Sequence, residues 1–123
     1  MIRMIRSPWP CVVAVLAACS SSPSGSGVTE TKPLNTLSDS ERNQLCSFRT
    51  EVEHAPRTAT CMGTSSVMIE DTASCVAAFS AVDALCQATV SDAEACFHAF
   101  DADPCNHGAG GCTALFTCVL PTG

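Results

Sequence analysis

The chain has 123 residues, a formal net charge of −6, ten cysteines, one Trp, no Tyr and five Phe. Such acidity excludes electrostatic attraction to nucleic acid or anionic lipid as the basis of its function. So few large aromatics exclude a big apolar core, and a domain this small needs cross-links.

Residues 1–18 read as an export signal. Arg3 and Arg6 form a basic n-region, and Cys11 to Ala18 form a short apolar run. Those eight residues rise only about 12 Å as a helix, against a hydrocarbon core of roughly 30 Å, so they do not span a membrane. The run closes on Leu16-Ala17-Ala18-Cys19, which resembles the lipobox of bacterial lipoproteins. The resemblance implies cleavage before Cys19, lipid on its thiol, and acyl chains such as palmitate holding the protein to a membrane. Ser20 rather than Asp follows the cysteine, and in that family this implies the outer membrane.

Residues 19–36 read as the lipidated cysteine followed by a tether. Ser20 to Gly27 is Ser/Gly-rich and the rest is polar. A flexible coil of this length holds the folded part roughly 20–25 Å from the bilayer.

Residues 37–123 read as one disulfide-stabilised domain. Ser38-Asp39-Ser40-Glu41 has the spacing of a capping box, so a helix starts at Asp39, with Leu45, Phe48 and Val52 as its buried stripe. His54-Ala55-Pro56 ends it. Residues 55–70 carry Gly63 among Ser and Thr and read as loop, with Val67-Met68-Ile69 as a short apolar pin. A second helix is predicted from Thr72 to Cys86, with Cys75, Phe79, Val82 and Cys86 on one face. Ser91-Asp92-Ala93-Glu94 is a second capping box, opening a third helix to Phe100 with Ala93, Cys96 and Phe100 inward. The repeated Ser-Asp-x-Glu reads as convergence on good caps rather than duplication, because Cys46 and Cys96 follow at different offsets. Asp103-Pro104 and Asn106 to Gly111 make a turn-rich break, and a last helix over 112–120 turns Cys112, Phe116 and Val119 inward. The fold class this predicts is all-α, about four short helices.

The cysteines divide by address. Cys11 leaves with the signal and Cys19 takes lipid, so eight remain: Cys46, Cys61, Cys75, Cys86, Cys96, Cys105, Cys112 and Cys118. An even number in an exported chain predicts four disulfides. Cys75 and Cys86 on one helix stand about 16 Å apart, and Cys112 and Cys118 about 9 Å apart on different faces. Neither pair is expected to bond, because bridged Cα atoms lie within about 7 Å, and about 78 connectivities stay open. An antiparallel pairing of the first two helices brings Cys46 towards Cys86.

No pattern for chemistry survives inspection. Cys96-Phe97-His98 and Cys105-Asn106-His107 lack a second zinc knuckle, and His98 lies about 200° round its helix from Cys96. Cys-x-x-Cys and Cys-x-x-Cys-His are absent, as are Gly-x-Ser-x-Gly and His-Glu-x-x-His. Asp101-Ala102-Asp103 opens like a calcium loop, but Asn106 and Cys112 stand where Gly and Glu are needed. His54, His98 and His107 read as exposed. No metal, cofactor or catalytic residue is expected.

An eight-cysteine helical cage resembles plant lipid-transfer proteins and seed albumins in architecture, without their adjacent Cys-Cys pair or Cys-x-Cys. Leu37 to Cys46, a Leu-Ser-Asp-x-Glu-x-x-x-Leu-Cys segment behind a Ser/Gly tether, resembles small cysteine-rich lipoproteins of myxobacteria. That resemblance implies envelope attachment and disulfides, and no particular activity. The expectation is therefore a membrane-anchored structural or binding module with a protein or small apolar partner. A carrier of an apolar ligand is the alternative, and an enzyme the third reading.

Overall fold

A computed structural model describes residues 25–119. In chain order they form a 3-10 turn at Leu34–Thr36, helix α1 (Asp39–Glu53), strands β1 (Arg57–Cys61) and β2 (Ser65–Ile69), then helices α2 (Thr72–Ser80), α3 (Val90–Ala102) and α4 (Cys112–Cys118). The all-α expectation is corrected by the two strands. They pair antiparallel, from Arg57 opposite Ile69 to Cys61 opposite Ser65, so the fold is mixed α and β. Thr58, Thr60, Val67 and Ile69 supply β-branched side chains that suit a pleated ribbon. Met62 and Gly63 both take positive φ, 52° and 78°, to turn the chain over between the strands. Gly63 enters that region at no steric cost.

Helix α1 starts where the sequence places it. Glu41 N–H donates to Ser38 Oγ at 3.2 Å and Ser38 N–H donates back to Glu41 Oε1 at 3.2 Å, closing the capping box. His54, in the left-handed region, ends it with its N–H on Thr50 O.

Helix α2 stops at Ser80, six residues short of the predicted end. Asp83 is one reason: its Oδ1 accepts Leu85 N–H at 2.7 Å, and its carbonyl accepts Cys86 N–H at 3.0 Å. Such local bonds offer the backbone an alternative to the helix. The segment before α1 is the other reason. Asn35 Nδ2 donates to Ala84 O (2.7 Å) and Cys86 O (3.2 Å), and Leu34 N–H donates to Ala88 O at 3.0 Å.

These contacts also revise the tether. Residues 25–36 are a packed strap, with Ser26, Val28 and Leu34 buried, followed by buried Leu37. Val90 N–H reaches Lys32 O at 3.0 Å and Ser91 N–H reaches Glu30 O at 2.9 Å, beside a bridge between Pro33 and Thr89. The packed unit therefore extends to Gly25, and the predicted boundary at residue 37 does not mark its start.

Helix α3 begins one residue earlier than Ser91, capped by Thr89. Thr89 N–H donates to Asp92 Oδ2 at 2.9 Å and Asp92 N–H to Thr89 Oγ1 at 3.4 Å. The predicted Ser91–Glu94 box is thus not a cap. Glu94 instead accepts Ser26 N–H at 2.7 Å and is itself buried.

The helices supply one core. Helix α1 packs on α2 and α3, and α3 packs on α4. Leu45, Phe48, Phe79, Val90, Phe97 and Leu115 fill the space between them. Phe97, not Phe100, is the buried aromatic of α3, edge-on to Phe79 at 6.4 Å between ring centroids. In α4, Leu115 and Cys118 are buried with Cys112, whereas Phe116 and Val119 are only partly so. Gly111 opens α4 in a place without room for a side chain, since a Cβ there would lie 2.1 Å from Asp92 O.

Candidate functional site

All eight domain cysteines are joined in pairs: Cys46–Cys75, Cys61–Cys105, Cys86–Cys118 and Cys96–Cys112. Each bridge ties elements the backbone leaves separate. Cys46–Cys75 fastens α1 to α2, with 5.7 Å between Cα atoms, and Cys96–Cys112 fastens α3 to α4 at 4.5 Å. Cys86–Cys118 clamps the irregular 81–89 segment to the end of α4. Cys61–Cys105 fastens the hairpin to the loop between α3 and α4. The expected approach of Cys46 to Cys86 is corrected: α2 ends before Cys86, and Cys75, one turn into α2, meets Cys46 instead. Cys75–Cys86 and Cys112–Cys118 are not bonded, although Cys86 stands off the helix that its spacing predicts. Cys19 lies outside the described residues, as do Ser20 and residues 1–18, where the export signal is expected. Four disulfides in so small a domain fit an oxidising compartment outside the cytosol.

The histidines are dispersed. His54 is the cap of α1, His98 lies edge-on to Phe48 at 5.7 Å, and exposed His107 lies edge-on to Phe100 at 5.4 Å and tilted against Phe116 at 5.9 Å. Asp101 faces Arg57 at 3.7 Å, and Asp103 accepts Cys105 N–H at 3.1 Å, so both acids of the apparent calcium loop serve the end of α3. Among the described residues no group of three His, Cys, Asp or Glu side chains converges to hold a metal ion.

The polar interior is where sequence reasoning missed most. Glu53 is fully buried near the end of α1. Arg49 Nε donates to its Oε2 at 2.9 Å, and the same guanidinium lies 5.8 Å from the Phe97 ring centroid. Arg57 Nε donates to the Glu53 carbonyl at 2.7 Å. Among the described residues Glu53 Oε1 has no hydrogen-bond partner. Burial pushes the Glu53 carboxyl above its ordinary value, and the nearby Arg49 and Arg57 charges only partly offset that. The Arg49–Glu53 spacing of four was a visible signal, but nothing local shows that the carboxylate turns inward.

Among the described residues all four cations are engaged: Lys32 with Glu41, Arg42 with Asp39, Arg49 with Glu53 and Arg57 with Asp101. Four cations against twelve carboxylates leave that part of the chain at −8, with no cationic patch among the described residues. Among the described residues, surface clefts are open to solvent. One, of about 400 Å³, is lined by Asp83, Leu85, Cys86, Gln87, Thr117 and Cys118. Another, of about 310 Å³, lies between Gly25–Ser26 and the Gln44, Phe48 and Glu51 side of α1. Neither encloses apolar space. No described helix is long and apolar enough to cross a membrane. No family model matches the chain, and neither a curated protein nor a solved structure matches it.

Proposed function

We propose that this chain is an exported, lipid-anchored, disulfide-caged module of the bacterial envelope, held to the outer membrane through Cys19 and acting by binding rather than catalysis. The observation that carries the reading is the closure of all eight domain cysteines into four bridges. Disulfides persist outside the cytosol, and the Leu16-Ala17-Ala18-Cys19 segment behind Arg3 and Arg6 supplies a route there. A lipidated Cys19 gives a surface attachment that the acidic domain cannot supply by charge.

The strap shortens the leash this reading implies. Between Cys19 and Gly25 there are five residues, so the six steps from one to the other span no more than about 22 Å even when fully extended. On this reading the domain works close to the headgroups, and its partner is another envelope component rather than a distant soluble one.

Phase partitioning tests the anchor. Produced in a host that lipidates exported proteins, the protein is expected in the detergent phase, and Cys19→Ser in the aqueous one. If both partition alike, the anchor is wrong.

A further inference from the structure

The four bridges are not equivalent in what surrounds them. Cys46, Cys75, Cys96 and Cys112 are wholly buried, and Cys86 and Cys118 are 8% and 4% exposed. Cys105 alone among the eight is exposed, and its partner Cys61 is buried. The Cys105 sulfur sits 3.8 Å from the Thr60 carbonyl, at the outer end of the hairpin.

The hairpin is also the element least held by packing. Its strands contact each other extensively, whereas the extensive helix contacts run only between helices. Cys61 and Ile69 are buried but stand outside the core cluster that unites the helices. The base is held by Arg57, through the Glu53 carbonyl and Asp101. Near the turn the covalent fastening is Cys61–Cys105.

We propose that Cys61–Cys105 is a thiol–disulfide exchange site, opened at its Cys105 sulfur by an external dithiol, which releases the β1–β2 hairpin while the three remaining bridges keep the helices closed. The chemistry balances without a further reagent. A thiolate of the dithiol attacks Cys105 Sγ, the Cys61–Cys105 bond breaks, and Cys61 leaves as a thiolate that takes up a proton. The second thiol of the reagent then attacks the mixed disulfide and frees Cys105. The reagent is oxidised by two electrons to its own disulfide, and the bridge is reduced to two thiols. Attack is directed to Cys105 because access to a sulfur governs such exchange. This inference rests on the domain alone and stands whether or not Cys19 carries lipid.

The test is graded reduction of the native full-length exported protein with dithiothreitol, followed by alkylation and peptide mapping. A species carrying two labels, on Cys61 and Cys105, is expected about ten-fold or more ahead of any other, with far-ultraviolet helical signal intact. Reduced glutathione in limiting amount should leave its adduct on Cys105 and a free thiol on Cys61. Simultaneous labelling of all eight, prior opening of Cys86–Cys118, or an adduct on Cys61 would overturn the proposal. The double variant Cys61→Ser, Cys105→Ser provides the second measurement. Amide exchange should quicken across Arg57–Ile69 while α1, α2 and α3 keep their protection. A variant that fails to fold, or whose hairpin stays protected, contradicts it equally.

Discussion

Carboxylates pull the stability of this domain in opposite directions, and Glu53 is the unusual one. Glu41 is held below its ordinary value of 4.5 by the Lys32 hydrogen bond, and Asp71 below 3.8 by the Ser74 N–H. Their folded forms favour charge, so what they contribute is present at neutral pH and lost on acidification below those values. Glu53 has the reverse sign. Its folded carboxyl is raised above 4.5 by burial, so its contribution is complete below 4.5 and is lost as the pH rises through the displaced value. Glu53→Gln keeps an acceptor for Arg49 and removes the buried charge. The melting temperature of the variant relative to the parent should therefore increase as the pH rises above 4.5 and level off once the pH has passed the displaced value. Parallel curves would show that Glu53 titrates as in the unfolded chain. Glu94 makes a different kind of contribution, since it accepts the buried Ser26 N–H. Glu94→Ala leaves that donor unpaired, and urea unfolding should show a loss of about 1–3 kcal/mol. An effect near zero would mean that the strap is held without it.

At the scale of elements, the strap is the part most easily misjudged and most open to test. Ser, Gly, Thr and Lys dominate its composition, and only Val28, Leu34 and Leu37 carry it into the core. Burying three such side chains contributes about 1.5–3 kcal/mol each, a large part of a total stability of about 5–15 kcal/mol. A chain beginning at Ser38 should therefore melt far below one beginning at Ser20, or not fold. Equal melting temperatures would return these residues to the role of tether. The first helix was legible because Ser38, Glu41, Leu45 and Phe48 are all local signals that agree with the packing. Elsewhere local signals competed with distant ones. Ser91 and Glu94 have the spacing of a cap, but Thr89 and Asp92 form it because Glu94 is taken by Ser26, 68 positions away. Residues 81–86 continue a helical pattern, yet Asn35 and Leu34 take carbonyl groups from the 84–88 stretch. The hairpin was hidden by Ser and Thr, which read as loop, although Thr58 and Thr60 alternate outward as a ribbon requires. Glu53 was unreadable for a related reason: nothing within α1 marks it as buried, and the Arg57 that binds its carbonyl comes from β1.

For the molecule as a whole, the small core leaves the balance to its cross-links. Bridges of this kind contribute roughly 2–4 kcal/mol each, comparable in sum to the whole stability of a domain. Complete reduction should therefore abolish the helical circular dichroism signal and the cooperative melt, and a reduced domain that keeps both would show that packing suffices. The bridges also join sequence to compartment, because a closed set of eight fits an oxidising environment outside the cytosol. The most direct measurement is on protein taken from the envelope, alkylated under denaturing conditions without reductant, digested, and searched for cross-linked peptides. No alkyl group should be found on the eight cysteines, and the cross-links should be Cys46–Cys75, Cys61–Cys105, Cys86–Cys118 and Cys96–Cys112. Stoichiometric labelling of any of the eight cysteines, or a peptide linking Cys46 to Cys86, would contradict the account.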